Sequence, residues 1–406
     1  MRLAKVETIR LAEFPNLLLV QLHADEGLVG LGETYFNAQA AEAYIHETAA
    51  PYLLGKDPQQ IDMHARALQT YVGYSSTGAE MRANSAIDIA LWDLFGQATG
   101  QPIYQLLGGA CREDIRIYNT CAGYRYVRAE SAQLVSNWGL GVRGGEGPYE
   151  DLEAFLHRAD ELADSLLGQG IDGMKIWPLD PFAEASNGTF ISAADLAVAV
   201  EPLKKIRRAV GDRMDVMIEM HGLWNVPAAR RIIASLEEFN LFWVEDPIRP
   251  DNEEGLSLLA RSTSVPICAG ETLAGRRAFL RLLSRQALGV AMPDLGWGGG
   301  ITEAKAIGSL AEAYGVAVAP HDCTGPVVLT ASTHLSVNLH NALIQETVRA
   351  FYSGWYGELV TDLPPISNGR IKPPAGPGLG TRLQPGVLRR PDATVRTASL
   401  AASTVR

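Results

Sequence analysis

The sequence predicts a parallel (β/α)8-type barrel preceded by a small α+β domain. Three observations carry this reading. From about residue 111 apolar strands alternate with amphipathic helices; eight strand candidates fall within about 240 residues; and charged residues recur at the ends of successive strands. A doubly wound sheet usually needs fewer strands.

Taken in order, Leu18–His23 and Leu28–Tyr35 are short apolar runs flanking Asp25-Glu26-Gly27, which predicts a β-hairpin with an acidic turn. Helical periodicity then covers Ala38–Leu53, Gln59–Tyr71 and Ala83–Thr99, the last stopped by Gly100 and kept from restarting by Pro102. Residues 1–110 thus form the α+β domain. Residues 111–350 hold the barrel, with strands at Ile115–Tyr118, Gly173–Trp177, Val216–Glu219, Leu241–Glu245, Val265–Ala269, Gly289–Asp294, Val316–Ala319 and Leu343–Glu346. Helices at Ala193–Ala209, Ala228–Glu238, Glu254–Ser262, Arg276–Ser284 and Thr302–Tyr314 lie between them. Residues 351–390 are rich in Pro and Gly and read as ordered coil packed on another part of the chain. Residues 391–406 are rich in Ser, Thr and Ala and read as a flexible tail.

Composition bounds the function. The 406 residues carry a net charge of −11, with 47% hydrophobic and 20% charged residues. That is globular composition, and its sign argues against a nucleic-acid partner, which wants a basic face. No run of about 20 apolar residues predicts a membrane span. Arg2, Lys5, Glu7, Arg10 and Glu13 interrupt any secretory leader, and four cysteines without a CxxC pair fit a reducing compartment, so a cytoplasmic protein is expected.

The spacing of strand-end charges points to chemistry. Glu219 to Glu245 and Glu245 to Glu271 are each 26 residues, Glu271 to Asp294 is 23, Asp294 to His321 is 27 and His321 to Glu346 is 25. Each interval is about one βα unit, so these side chains converge on the C-terminal mouth, where barrel active sites sit. Three carboxylates aimed at one point repel unless a cation lies among them. An all-oxygen set suits Mg²⁺, or Mn²⁺, rather than zinc. Asp294 beside His321 would fix the imidazole tautomer and raise its basicity, the arrangement a general base needs. His221 follows Glu219 by two residues, and Lys175 and Trp177 share the same spacing, which on a strand places each pair on one face. Lys175 could serve as base, as anchor for an anionic substrate or as charge balance. Glu346 could hydrogen-bond an oxyanion if burial keeps it protonated, or pair with Lys175. The other histidines lack this register and receive no role. A divalent metal holding a substrate carboxylate stabilises the ene-diolate formed on loss of the α-proton. Departure of a β-hydroxyl would make the reaction a dehydration; return of the proton on the opposite face would make it a racemisation or epimerisation.

These residues resemble the enolase superfamily, in its mandelate racemase-like branch. The resemblance rests on Gly27-Leu-Val-Gly-Leu-Gly-Glu33, Ser85-Ala-Ile-Asp-Ile-Ala-Leu-Trp-Asp93, Leu106-Leu-Gly-Gly109, Glu245-Asp-Pro247, Ala269-Gly-Glu271, Pro293-Asp294, Gly299-Gly-Ile-Thr-Glu303, Ala319-Pro-His321, Gln345-Glu346 and Pro377-Gly-Leu-Gly380. It implies a (β/α)7β, TIM-like barrel closed by the N-terminal domain as a cap, which the C-terminal segment completes. Cap loops around Leu11–Leu17 and Ser75–Glu80 would shape substrate choice. It further implies one Mg²⁺ per subunit on Glu219, Glu245 and Glu271, an Asp294/His321 dyad, an electrophilic Glu346 and a homo-oligomer.

Two departures matter. Lys-x-Lys of the two-face enzymes reads Lys175-Ile-Trp177, so the opposite-face base is replaced by a ring that would narrow the substrate pocket or offer it a stacking face. Glu219-Met-His221 is similar to the Asp-x-His of galactonate and mannonate dehydratases. The resemblance therefore implies a carbon–oxygen lyase that dehydrates an aldonic or related sugar acid, with His221 assisting the leaving group. The alternatives are a racemase, epimerase or cycloisomerase of a hydroxy acid, and, in another class, an inactive metal-binding barrel with a regulatory or structural role.

Overall fold

The computed structural model describes residues 1–69, 77–126 and 147–400. Strands β1 (Leu3–Leu11), β2 (Phe14–Ala24) and β3 (Val29–Tyr35) form an antiparallel sheet. The acidic turn joins β2 to β3 as expected, with Gly27 at φ 86°, a conformation that favours glycine. β1 lies outside the expected hairpin. Register shifts at both ends of its ladder with β2 take its apolar residues out of strict alternation, which hides it from a period-two reading. Leu11 pairs with Phe14, so the stretch expected to be a loop at Leu11–Leu17 is a tight hairpin whose turn is only Ala12-Glu13. Of the other expected cap loop, residues 75 and 76 lie outside the described residues.

The helix expected over Ala38–Leu53 is split by a π turn at Ile45–Ala49, and the next is Ile61–Leu68. The main cap helix starts earlier than its periodicity suggests, at Ala79, and ends at Thr99 with Gly100 at φ 68°. It lies tightly on the sheet because Gly30 and Gly32 carry no Cβ. One built at Gly30 would sit 2.1 Å from the Ala90 carbonyl oxygen, and one at Gly32 1.9 Å from that of Ala86.

All eight expected barrel strands are present: β4 (Ile115–Thr120), β5 (Gly173–Ile176), β6 (Asp215–Glu219), β7 (Trp243–Glu245), β8 (Ile267–Ala269), β9 (Val290–Ala291), β10 (Ala317–Val318) and β11 (Gln345–Thr347). They pair in parallel from β4 through β10, and β11 pairs with the free side of β4. At the seam between β10 and the approach to β11, one bridge joins Val318 to Ala342, with Leu343 N–H donating to Val318 at 2.8 Å. Inside, Tyr118, Met217, Trp243, Cys268, Val290, Met292, Ala319 and Ile344 form an apolar layer. This layer fills the barrel beneath the mouth, which leaves the strand C-terminal ends as the place for charged groups.

The C-terminal segment passes through a small hairpin of β12 (Ile366–Ser367) and β13 (Arg370–Ile371), with β13 antiparallel to β4 of the barrel. The expectation of a flexible tail over 391–406 is corrected. β14 (Ala393–Ser399) pairs with β1 over seven residues and makes the cap sheet four-stranded, in the order β14-β1-β2-β3. Polar composition suggested fraying, but a backbone ladder against an open strand edge needs no apolar side chains. Residues 401–406 lie outside the described residues. Among the described residues no helix is long and apolar enough to cross a membrane.

Candidate active site

Parallel register brings the acids together. Glu219 on β6 stands directly beside Glu245 on β7. Glu271 lies two residues beyond β8, reached through Gly270 at φ 125°, where a Cβ would lie 2.7 Å from the Phe279 ring. One oxygen from each of the three glutamates lies within 4.8 Å of the others, and all three residues are buried. That spacing suits a single hard cation, whose oxygen ligands stand about 2.0–2.6 Å from it. Burial and Glu219 raise Glu245 well above the usual carboxylate range, and burial also raises Glu271. Three buried carboxyl groups this close together call for positive charge.

Lys175, at the mouth end of β5, supplies part of it. Its Nζ bonds Glu245 and stands 3.0 Å from Glu346 and 3.5 Å from Glu219. Of the two readings of Glu346, the structure contains the pairing with Lys175. Burial alone would raise its pKa, but Lys175, His321, the Thr120 hydroxyl and the Asp322 N–H together hold it at about 2. Its oxygens are placed as acceptors, Oε1 for the Thr120 hydroxyl and Oε2 for the Asp322 N–H. Trp243 Nε1 donates to the second oxygen of Glu245 at 2.8 Å.

On the other side of the cluster stands the expected dyad. His321 Nδ1 is 2.6 Å from Asp294 Oδ2, and its Nε2 is 3.3 Å from Glu271. β9 and β10 end before these residues, which nonetheless form a parallel bridge of their own. Burial would lower the His321 pKa, but Glu271, Glu346 and Asp294 raise it well above the ordinary imidazole value.

His221 reaches the chamber by a different route from the one its spacing suggests. β6 ends at Glu219, and His221 sits at φ 50°, so the shared-face argument for a strand does not apply. A turn places it instead, with its own N–H donating to Glu219 Oε1 at 2.6 Å. Its Nδ1 is 2.8 Å from Asp180 Oδ2. Burial opposes protonation of this ring, yet Asp180 and Glu219 raise its pKa to about 9. Trp177, just past β5, packs edge-on to His221 with ring centroids 6.0 Å apart and against Phe155 at 5.1 Å.

Sequence reasoning missed four neighbours. Asp180 belongs to a loop-end helix with no strand-end register. Trp297 packs tilted against His321 at 4.8 Å between ring centroids, and Arg82 of the cap lies over that indole at 4.6 Å. Asp246 follows Glu245, and burial with Glu271, Glu219 and Glu245 raises it well above its usual range. The Glu245-Asp-Pro247 motif contains its signal, but only the fold shows that it faces the same charges.

Two family models match the chain. One described as mandelate racemase / muconate lactonizing enzyme, N-terminal domain, covers residues 7–108, and one described as enolase C-terminal domain-like covers residues 158–387. D-Galactonate dehydratase of Pectobacterium atrosepticum is 32% identical over 390 residues, covering 94% of this chain and 92% of the relative. That of Xanthomonas oryzae pv. oryzae is 32% identical over 400 residues, covering 96% and 94%. Among solved structures, an enolase of the mandelate racemase subgroup from Agrobacterium tumefaciens is 48% identical with a TM-score of 0.87, covering 98% of this chain and 99% of that one. An enolase protein from Sargasso Sea environmental sequencing is 41% identical with a TM-score of 0.87 over the same shares.

Proposed function

The chain belongs to the enolase superfamily, in its mandelate racemase/muconate lactonizing enzyme family, and from that premise we propose that it is an Mg²⁺-dependent lyase that dehydrates an aldonic or related sugar acid. The observation that carries this is the placement of two imidazoles, His321 and His221, beside one cluster of three buried glutamates. The two dehydratases described above, each aligned over more than nine-tenths of this chain, support the same reaction class.

Glu219, Glu245 and Glu271 would hold the cation. When bound, it supplies charge that binds the substrate carboxylate, offsets the developing ene-diolate and lowers the proton affinity of His321. His321, oriented by Asp294, takes the α-proton on Nε2. Lys175 anchors the carboxylate end and keeps Glu346 ionised. His221 gives a proton to the β-hydroxyl as it leaves. Trp177 occupies the place of an opposite-face base, which favours elimination over inversion. Residues 1–110 with the C-terminal segment close the mouth over residues 111–350.

The test is turnover of a panel of aldonic acids, D-galactonate included, with and without Mg²⁺. The expected product is a 2-keto-3-deoxy acid formed only with the metal. Conversion of a carboxylate without loss of water would replace this reading with an epimerase or cycloisomerase.

A further inference from the structure

We propose that Asp180 is a positioning residue that holds His221 for protonation of the departing β-hydroxyl, so that the site contains two carboxylate–imidazole dyads, one for each proton transfer. The proposal rests on the dehydratase reading. The two pairs match in detail. Asp180 Oδ2 meets His221 Nδ1 at 2.8 Å, and Asp294 Oδ2 meets His321 Nδ1 at 2.6 Å. Both aspartates are buried, and in both the second oxygen, Oδ1, is buried and has no hydrogen-bond partner among the described residues. A buried carboxylate with one oxygen unmatched is costly to fold around, which argues for a use beyond packing. Accepting from Nδ1 places that ring's proton there and leaves Nε2 as the nitrogen that exchanges its proton, as the second Asp does for the general base. The two dyads meet different glutamates. His321 approaches Glu271, whereas the His221 backbone is bonded to Glu219. Trp177 walls the His221 side and restricts ring rotation.

The chemistry balances. His321 accepts the α-proton, and the carbon–hydrogen electron pair enters the ene-diolate. That pair then forms the Cα–Cβ double bond as the Cβ–oxygen bond breaks. The proton from His221 Nε2 goes to the departing oxygen, and water leaves. The enol formed becomes the 2-keto acid by losing its hydroxyl proton and gaining one at Cβ, which restores both imidazoles.

Elimination and exchange separate the two dyads. Wild type, Asp180→Asn and His321→Asn, all loaded with Mg²⁺, are given D-galactonate and the other aldonic acids in deuterium oxide. In Asp180→Asn, dehydration is expected to fall about 100-fold while deuterium entry at Cα of recovered substrate stays within about threefold of wild type. His321→Asn should lose both. If wild type dehydrates nothing, the dehydratase reading fails and the role of Asp180 falls with it. If wild type and Asp180→Asn dehydrate alike, or if exchange and dehydration fall together at unchanged Mg²⁺ affinity, only the Asp180 proposal fails. Should the variant not fold, the ¹⁵N spectrum of wild-type imidazoles decides, taken above the pH at which His221 loses its second proton. A His221 signal in the Nδ1–H form supports the proposal, and the Nε2–H form overturns it.

Discussion

Single side chains set the polarity of this mouth. Lys175 touches Glu219, Glu245 and Glu346 at once, so without metal it offsets the repulsion among them. Lys175→Met should lower the melting temperature of metal-free protein, and Mg²⁺ should then raise it by more than in wild type, because binding to the folded state alone stabilises it. Differential scanning fluorimetry with and without Mg²⁺ checks this; equal metal shifts would contradict it. At this scale the sequence was most legible where side chains follow strand register. Glu219 and Glu245 pair directly, and Asp294 bridges His321, as their 26- and 27-residue spacings imply. Asp180, Trp297 and Arg82 come from loops, a helix start and the cap, and no periodicity marks them.

Elements are joined by buried carboxylates whose motifs were visible but whose purpose was not. Glu33 accepts from the Val327 and Val328 N–H groups at 3.1 and 3.2 Å and so caps the Pro326–Asn338 helix. Asp88 accepts from the Thr302 N–H at 3.0 Å at the start of the Gly300–Ala313 helix. Asp93 binds the Leu31 and Leu379 N–H groups, both at 2.8 Å, tying β3 to the C-terminal segment. Asp93→Ala should therefore destabilise the fold by about 3 kcal/mol, since two buried charge-assisted bonds lose their acceptor. Urea unfolding measures this, and a loss under about 0.5 kcal/mol would contradict it. Removal of residues 391–406 should lower the melting temperature and promote association through the uncovered edge of β1. A truncated protein as stable and monodisperse as the full chain would show that β14 contributes nothing.

Across the whole molecule, the same carboxylates tie stability to pH. Burial, opposed by their hydrogen bonds, raises Glu33 to about 8 and Asp88 to about 7. In the unfolded chain both ionise near pH 4. Between those values the folded state holds more protons, so their contribution is complete below about pH 4 and is lost as pH rises through about 7 to 8. Glu33→Gln with Asp88→Asn should flatten the fall in melting temperature between about pH 5 and pH 8; an unchanged slope would contradict it. The cap-and-barrel plan was readable because alternating strands and helices repeat at one length. The strand at the C-terminus was not, because backbone pairing leaves little trace in composition.

The central claim, that His321 removes an α-proton beside a metal on three glutamates, is tested most directly by deuterium entry at Cα. Recovered aldonic acid and its product are analysed by mass spectrometry after incubation in deuterium oxide with Mg²⁺. Exchange and dehydration by wild type, with neither in His321→Asn at unchanged Mg²⁺ affinity, is the predicted result. Wild-type rates in His321→Asn, or in wild type stripped of metal, would contradict it.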